Sequence, residues 1–239
     1  MNTNYSQMRI VERDDGLRAF FGKIYNYMAG SLVLSGFAAY LSIQEPLKSL
    51  LYVTKNNMIT LAPLGWIVAI APFILIFMIQ NAVNKLNTTK ANVYFWSFSA
   101  LMGLSMGSIF MVYTTASIMQ TFLITAGSFL ALSVYGSTTK RDLSQFGSFL
   151  FMGLIGIILA SVVNIFIASS MVSFCISVIG VFLFAGLIAY DTNRLKTMFY
   201  TVEGHAEMQK SLAISGALSL YLNFINLFQF LLSFLGNRE

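Results

Sequence analysis

Charged side chains are scarce in this sequence. Only 10% of its 239 residues are Asp, Glu, Lys or Arg, where a soluble domain carries about 25%. Cysteine is nearly missing too. Cys175 is the single one, so no internal disulfide can form and the redox compartment stays unrevealed; a small buried hydrophobe is the expected role. His205, the single histidine, lies in a polar connector, and one His with one Cys makes no zinc set. No glycine-rich loop ends in Lys-Ser or Lys-Thr, which argues against a nucleotide motor, and no His-Glu-x-x-His is present. A serine protease triad would lack its base. An intramembrane aspartyl protease needs two carboxylates, and Asp191 is the one acid set against a membrane-length apolar run. These absences lead us to expect neither an enzyme nor a cofactor.

What is present is apolar. Hydrophobic residues make up 57% of the chain, mean hydropathy is +0.74, and the apolar residues come in blocks. The expectation is an all-α integral membrane protein in contact with the lipid bilayer. Residues 1–23 are polar, with Arg9, Arg13, Arg18 and Lys23. They are too polar for a signal peptide and read as a cytosolic arm. Seven blocks follow within 24–235, at about 24–43, 61–80, 91–112, 116–137, 146–168, 171–190 and 211–235, each able to span ~30 Å of hydrocarbon. Residues 236–239 form a tail. Blocks three and four are split only by Tyr113-Thr114-Thr115, and five and six only by Ser169-Ser170, so both pairs should be tight hairpins. Pro72 lies inside the second block, where a bundle tolerates a kink.

The net charge is +5 and the pI near 9.3, but the basic residues sit at segment ends, a topology pattern and not a nucleic-acid footprint. With seven spans, 11 of the 14 Lys and Arg residues fall on the leader's side. The expectation is a cytosolic N-terminus and an external C-terminus. Gly103 with Gly107, and Gly156 with Ala160, have the small-xxx-small spacing that lets helices approach closely.

One polar set remains inside the spans. Asp191 ends the run Phe182–Tyr190. Asn223 and Asn226 are three apart and share one face of the last block. Asn164 lies in the fifth block, with Tyr190 and Tyr221 as candidate partners. A charge in a span is costly and marks an ion or proton path by default. Two readings stay open for Asp191. It lies among headgroups past a helix end, or the helix runs on through Lys196 and Arg194 pairs with it at i+3.

These residues, in order and spacing, resemble the Bax inhibitor-1 family, in particular its bacterial members. The matching pieces run from Gly103-Leu104-Ser105 to Ile109-Phe110, through Tyr135-Gly136-Ser137-Thr138-Thr139-Lys140-Arg141-Asp142-Leu143, Gly147-Ser148-Phe149-Leu150, Val163-Asn164-Ile165-Phe166 and Ala189-Tyr190-Asp191-Thr192-Asn193. They close with Leu218-Ser219-Leu220-Tyr221-Leu222 and Phe224-Ile225-Asn226-Leu227-Phe228. The likeness covers roughly residues 20–236. It implies a seven-transmembrane-helix bundle with a central seventh helix wrapped by two three-helix layers. It also implies a pH-sensitive calcium leak built on two facing aspartates in the last two helices. Animal members are tied to calcium homeostasis and cell survival, and some bacterial relatives modulate a membrane-bound protease.

The first aspartate carries over to Asp191; the position of the second is Asn223. An Asn facing one carboxylate imitates a singly protonated acid pair, fixed at every pH, so the switch should be weakened. The functional expectation is a passive leak for calcium or other cations, with Asp191, Asn223, Asn226 and Arg194 along its path and Asp191 a weak, transient calcium ligand. The alternative is a non-transporting regulator that binds another membrane protein, such as a protease. The expected location is a bacterial cell inner membrane, crossed several times.

Overall fold

The computed structural model describes residues 3–55 and 58–237, with the side chains of residues 14–53 and 60–237. Long apolar blocks with few prolines form helices: α1 (Thr3–Ser42), α2 (Leu47–Leu51), α3 (Pro63–Asn84), α4 (Thr88–Ser105), α5 (Ile109–Val112), α6 (Thr115–Thr138), α7 (Gly147–Ile167), α8 (Ser170–Thr201) and α9 (Ala206–Leu235). One antiparallel hairpin interrupts them, β1 (Tyr52–Lys55) with β2 (Met58–Leu61), Tyr52 standing opposite Leu61. Among the described residues, six helical stretches are long and apolar enough to cross a membrane: α3, α4 through α5, α6, the 3-10 turn Ser144–Phe146 with α7, α8, and α9. The all-α membrane class holds, with that hairpin as the exception.

Several boundaries differ from the sequence reading. The polar arm and the first block are one continuous helix, α1. Its glycines are isolated and proline is absent, and a lone glycine costs about 1 kcal/mol without ending a helix. Among the described residues α1 is not one of the six membrane-length stretches. The third block breaks after Ser105 and restarts at Ile109. Gly107 lies in that break, so it does not pair with Gly103 on one helix face. Gly156 meets open space, so it is no packing site either. Cys175 is exposed, not buried. Pro72 is buried in an α3 that runs unbroken past it.

The chain forms two compact units. The first comprises Met1–Ser105 with Leu195–Leu218, the second Met106–Arg194 with Ser219–Glu239. In the first, α1 and α4 pack through small residues. A side chain at Gly103 would strike the Ser35 backbone, and buried Ser35 donates its hydroxyl to the Ser99 carbonyl at 2.7 Å. Tyr27, Phe95 and Trp96 pack edge-to-face and tilted beside this contact. The start of α9 joins the same unit, where Gly216 receives Leu195 and Ile24, and Gln80 of α3 reaches Ser215 at 3.4 Å.

In the second unit α9 packs against both α6 and α8. Phe122 and Phe129 of α6 meet Phe224 edge-on, and Phe184 of α8 stacks on Phe230. The α6 N-terminus is capped by Thr114, whose Oγ1 accepts from the Ser117 amide. Asn237 ties the end of α9 to the same place, exchanging bonds with Thr114 and Ser117. α7 and α8 form a tight hairpin. Its turn, Ala168-Ser169, puts Ala168 in the left-handed region at φ 52°, and Asn164 holds it by accepting from the Ser169 amide at 3.2 Å and donating to Ser173 at 2.7 Å. Between α6 and the 3-10 turn, Asp142 accepts from the Ser144 amide at 2.9 Å. That bond and the Ser144 hydroxyl hold its carboxyl below the usual aspartate value of 3.8.

Candidate functional site

α8 does not stop at Asp191. No Gly or Pro follows until Gly204, at φ 86°, and Leu195 and Phe199, one turn apart, are buried at 6% and 3% exposure. An apolar stripe of this spacing carries the helix on for ten residues past Asp191 to Thr201. The carboxylate is therefore a mid-helix group, and the macrodipole penalty of a C-terminal anion does not apply.

Successive helix residues point about 100° apart, so Asp191, Thr192 and Asn193 address three neighbours. Asp191 faces α9. Its Oδ2 accepts from the Ser219 hydroxyl at 2.5 Å and from the Asn223 amide at 2.7 Å. Thr192, fully buried, lies with its hydroxyl 3.2 Å from that of Ser133 on α6. Asn193 bridges the end of α6 to the loop beyond it, donating to the Gly136 carbonyl at 3.1 Å and accepting from the Leu143 amide at 3.4 Å. Gly136 is needed there, because a Cβ would meet the Ala189 carbonyl and the Thr192 side chain.

The structure thus joins two of the residues singled out in the sequence and separates the others. Asp191 and Asn223 are in direct contact. Asn226 turns its amide back to the Leu222 carbonyl of its own helix at 2.8 Å. Arg194 is exposed and makes no ion pair with Asp191 among the described residues. Asn164 serves the α7–α8 turn and partners neither Tyr190 nor Tyr221. Ser219 was not singled out, although it lies one turn before Asn223 and so falls on the same helix face.

A charge on a membrane helix needs compensating donors. Here a hydroxyl and an amide from one neighbouring helix supply two short, charge-assisted bonds to one oxygen. For a metal the set is thin. Calcium takes six to eight oxygens, and among the described residues no cluster of three His, Cys, Asp or Glu exists. Asp191, the Ser219 hydroxyl and a rotated Asn223 carbonyl are side-chain oxygens at hand, fewer than a calcium storage site needs.

A family model described as inhibitor of apoptosis-promoting Bax1 matches residues 17–239. An uncharacterized protein of Caulobacter vibrioides is 46% identical, covering 95% of this chain and 92% of the relative. One of Rickettsia prowazekii is 44% identical over 95% and 92%. The inner membrane protein YbhL of Escherichia coli K12 is 42% identical over 96% of both chains. With six membrane-length helical stretches and such relatives, the chain is a multi-pass inner-membrane protein.

Proposed function

The chain belongs to the Bax inhibitor-1 family, and from that premise we propose that it is a passive cation leak, calcium being the favoured ion, with Asp191 as its polar gate. The observation that carries this reading is the Asp191 carboxylate, held between Ser219 and Asn223 on helices of membrane length. An acid kept at that depth, bonded among the described residues by side chains of one neighbouring helix, can exchange those donors for a passing cation. The protein has no catalytic role in this reading.

We further propose seven spans, the seventh being residues 24–42 of α1, nineteen residues or about 28 Å of helix. The N-terminus is then cytosolic and α9 central. Burial agrees with that place for α9: 56% of its most apolar stretch is buried, against 11% for α7.

The acid–base switch of a two-aspartate pair is reduced here, since one titrating group has become the Asn223 amide. The same loss favours the second reading, a regulator that docks on another membrane protein, such as a protease, and moves no ions. Calcium entry into dye-loaded liposomes separates the two. The leak reading expects flux from the purified protein, altered by Asp191→Asn and made pH-dependent by Asn223→Asp. Flux no greater than in empty liposomes for all three proteins would discard the leak in favour of the regulator.

A further inference from the structure

The α8–α9 seam changes character along its length. At one end stand Asp191, Ser219 and Asn223. Two helical turns earlier on α8 comes Phe184, and two turns earlier again Ser177; each step is seven residues, about 10.5 Å. α9 runs antiparallel and answers in register. Phe230 stacks on Phe184 with ring centroids 5.7 Å apart, and Ser233 accepts from the Ser177 hydroxyl at 3.1 Å. The seam is therefore polar, then aromatic, then polar.

The far polar end opens into a groove of about 330 Å³ between α7, α8 and α9. Ser161, Asn164, Ser173, Ser177, Gln229 and Ser233 line it, and Phe230 forms part of its wall. Among the described residues nothing hydrogen-bonds the Gln229 side chain. An amide left without a protein partner on a membrane helix needs water, because hydrocarbon offers no substitute. Ile165 and Ile176 supply apolar wall beside Phe230, and the polar part of the lining carries hydroxyls and amides and no charge, which suits water and a hydrated cation better than an anion.

The Phe230 ring ends this groove. It lies against Gly180, where a Cβ would come within 2.7 Å of three ring atoms, and it stacks on Phe184, which is 5% exposed. An aromatic constriction without a polar wall blocks ions by dewetting.

We propose that the groove between α7, α8 and α9 is a water-filled vestibule, closed off from Asp191 by the Phe184–Phe230 pair seated on Gly180. The vestibule and its plug stand on geometry alone. Their consequence, that this pair sets the resting rate of cation passage, rests on the leak reading.

Thiol accessibility tests it in the full chain. Cys175→Ser removes the one native thiol. Single cysteines then replace Ser169 at the α7–α8 turn, Gln229, Ser233 or Asn226, and a membrane-impermeant maleimide is added separately to spheroplasts and to inverted vesicles. The face that labels Ser169→Cys is the turn's face. From that face Gln229→Cys and Ser233→Cys should label at rates within about tenfold of the turn, while Asn226→Cys is protected until Phe230→Ala is added and then speeds at least tenfold, about 1.4 kcal/mol in barrier. Phe184→Ala should do the same, so a misfolded Phe230 variant, exposed by labelling at every position, does not decide the matter. Unreactive cysteines at 229 and 233 would overturn the vestibule. An Asn226→Cys that labels with both rings intact, or stays protected after both truncations, would overturn the plug. Calcium flux on the same variants keeps the two claims apart, since labelling as expected with no flux would sink the leak alone.

Discussion

Two helix seams in this protein are built from the same kinds of small and polar residue and reach opposite results. Between α1 and α4, glycine brings the backbones together and the Ser35 hydroxyl is spent on a carbonyl of the other helix, at Ser99. The Ser31 and Ser99 hydroxyls likewise donate to backbone carbonyls, at Met28 and Phe95. Between α8 and α9, Asp191 is bonded by side chains alone, from Ser219 and Asn223, and each of those can rotate away. Polar residues in a membrane are therefore glue when a backbone carbonyl receives them, and a candidate working part when they answer only to each other.

The comparison breaks most severely at Gly103. Gly103→Val should push α1 from α4 at a cost of about 3 kcal/mol, lowering Tm by roughly 10 °C in a thermal assay of the detergent-solubilised protein; an unchanged Tm would mean that the seam is not close-packed. Asp191→Asn should do the reverse. It keeps the shape and an oxygen for Ser219, so Tm holds, yet calcium flux should change by roughly tenfold or more, about 1.4 kcal/mol. Asn223→Asp sharpens the contrast by restoring a second titrating group, and flux compared between about pH 6 and pH 8 should turn pH-dependent; a flat profile would remove the acid pair from the account. Ser35→Ala should cost only about 0.6 kcal/mol, the usual worth of an interhelical bond in a membrane, and leave flux unchanged.

The smallest effect lies outside both seams. Asp142 has a depressed carboxyl in the folded protein. Its contribution is present above the ordinary value of 3.8 and is lost as pH falls through the lower folded value. Asp142→Ala should then lower Tm slightly at neutral pH, with the difference vanishing in strong acid.

The helices were legible because apolar blocks of membrane length leave few alternatives. Their ends were harder to read where the signal was mixed. α1 absorbed the polar arm because nothing between Arg13 and Ile24 breaks a helix, and polarity alone was mistaken for a boundary. The β1–β2 hairpin carries its own signal, the β-branched and aromatic runs Tyr52-Val53-Thr54 and Ile59-Thr60-Leu61, which lie between two apolar blocks of membrane length. At the site, Asp191 and Asn223 could be found as polar residues in apolar runs. Ser219 was hidden because serine is ordinary in such helices, and only the register of α8 against α9 gives it a role. The Arg194 pairing failed for a geometric reason: Asp191 turns to its α9 donors, while Arg194, three residues on, is exposed.

The turn at Ala168-Ser169 has a consequence for how the protein is made. Two residues, one of them an alanine held left-handed at φ 52°, leave no slack between α7 and α8. A link this short favours insertion of the two helices together as one hairpin, so a lesion that spoils the insertion of either segment should cost both.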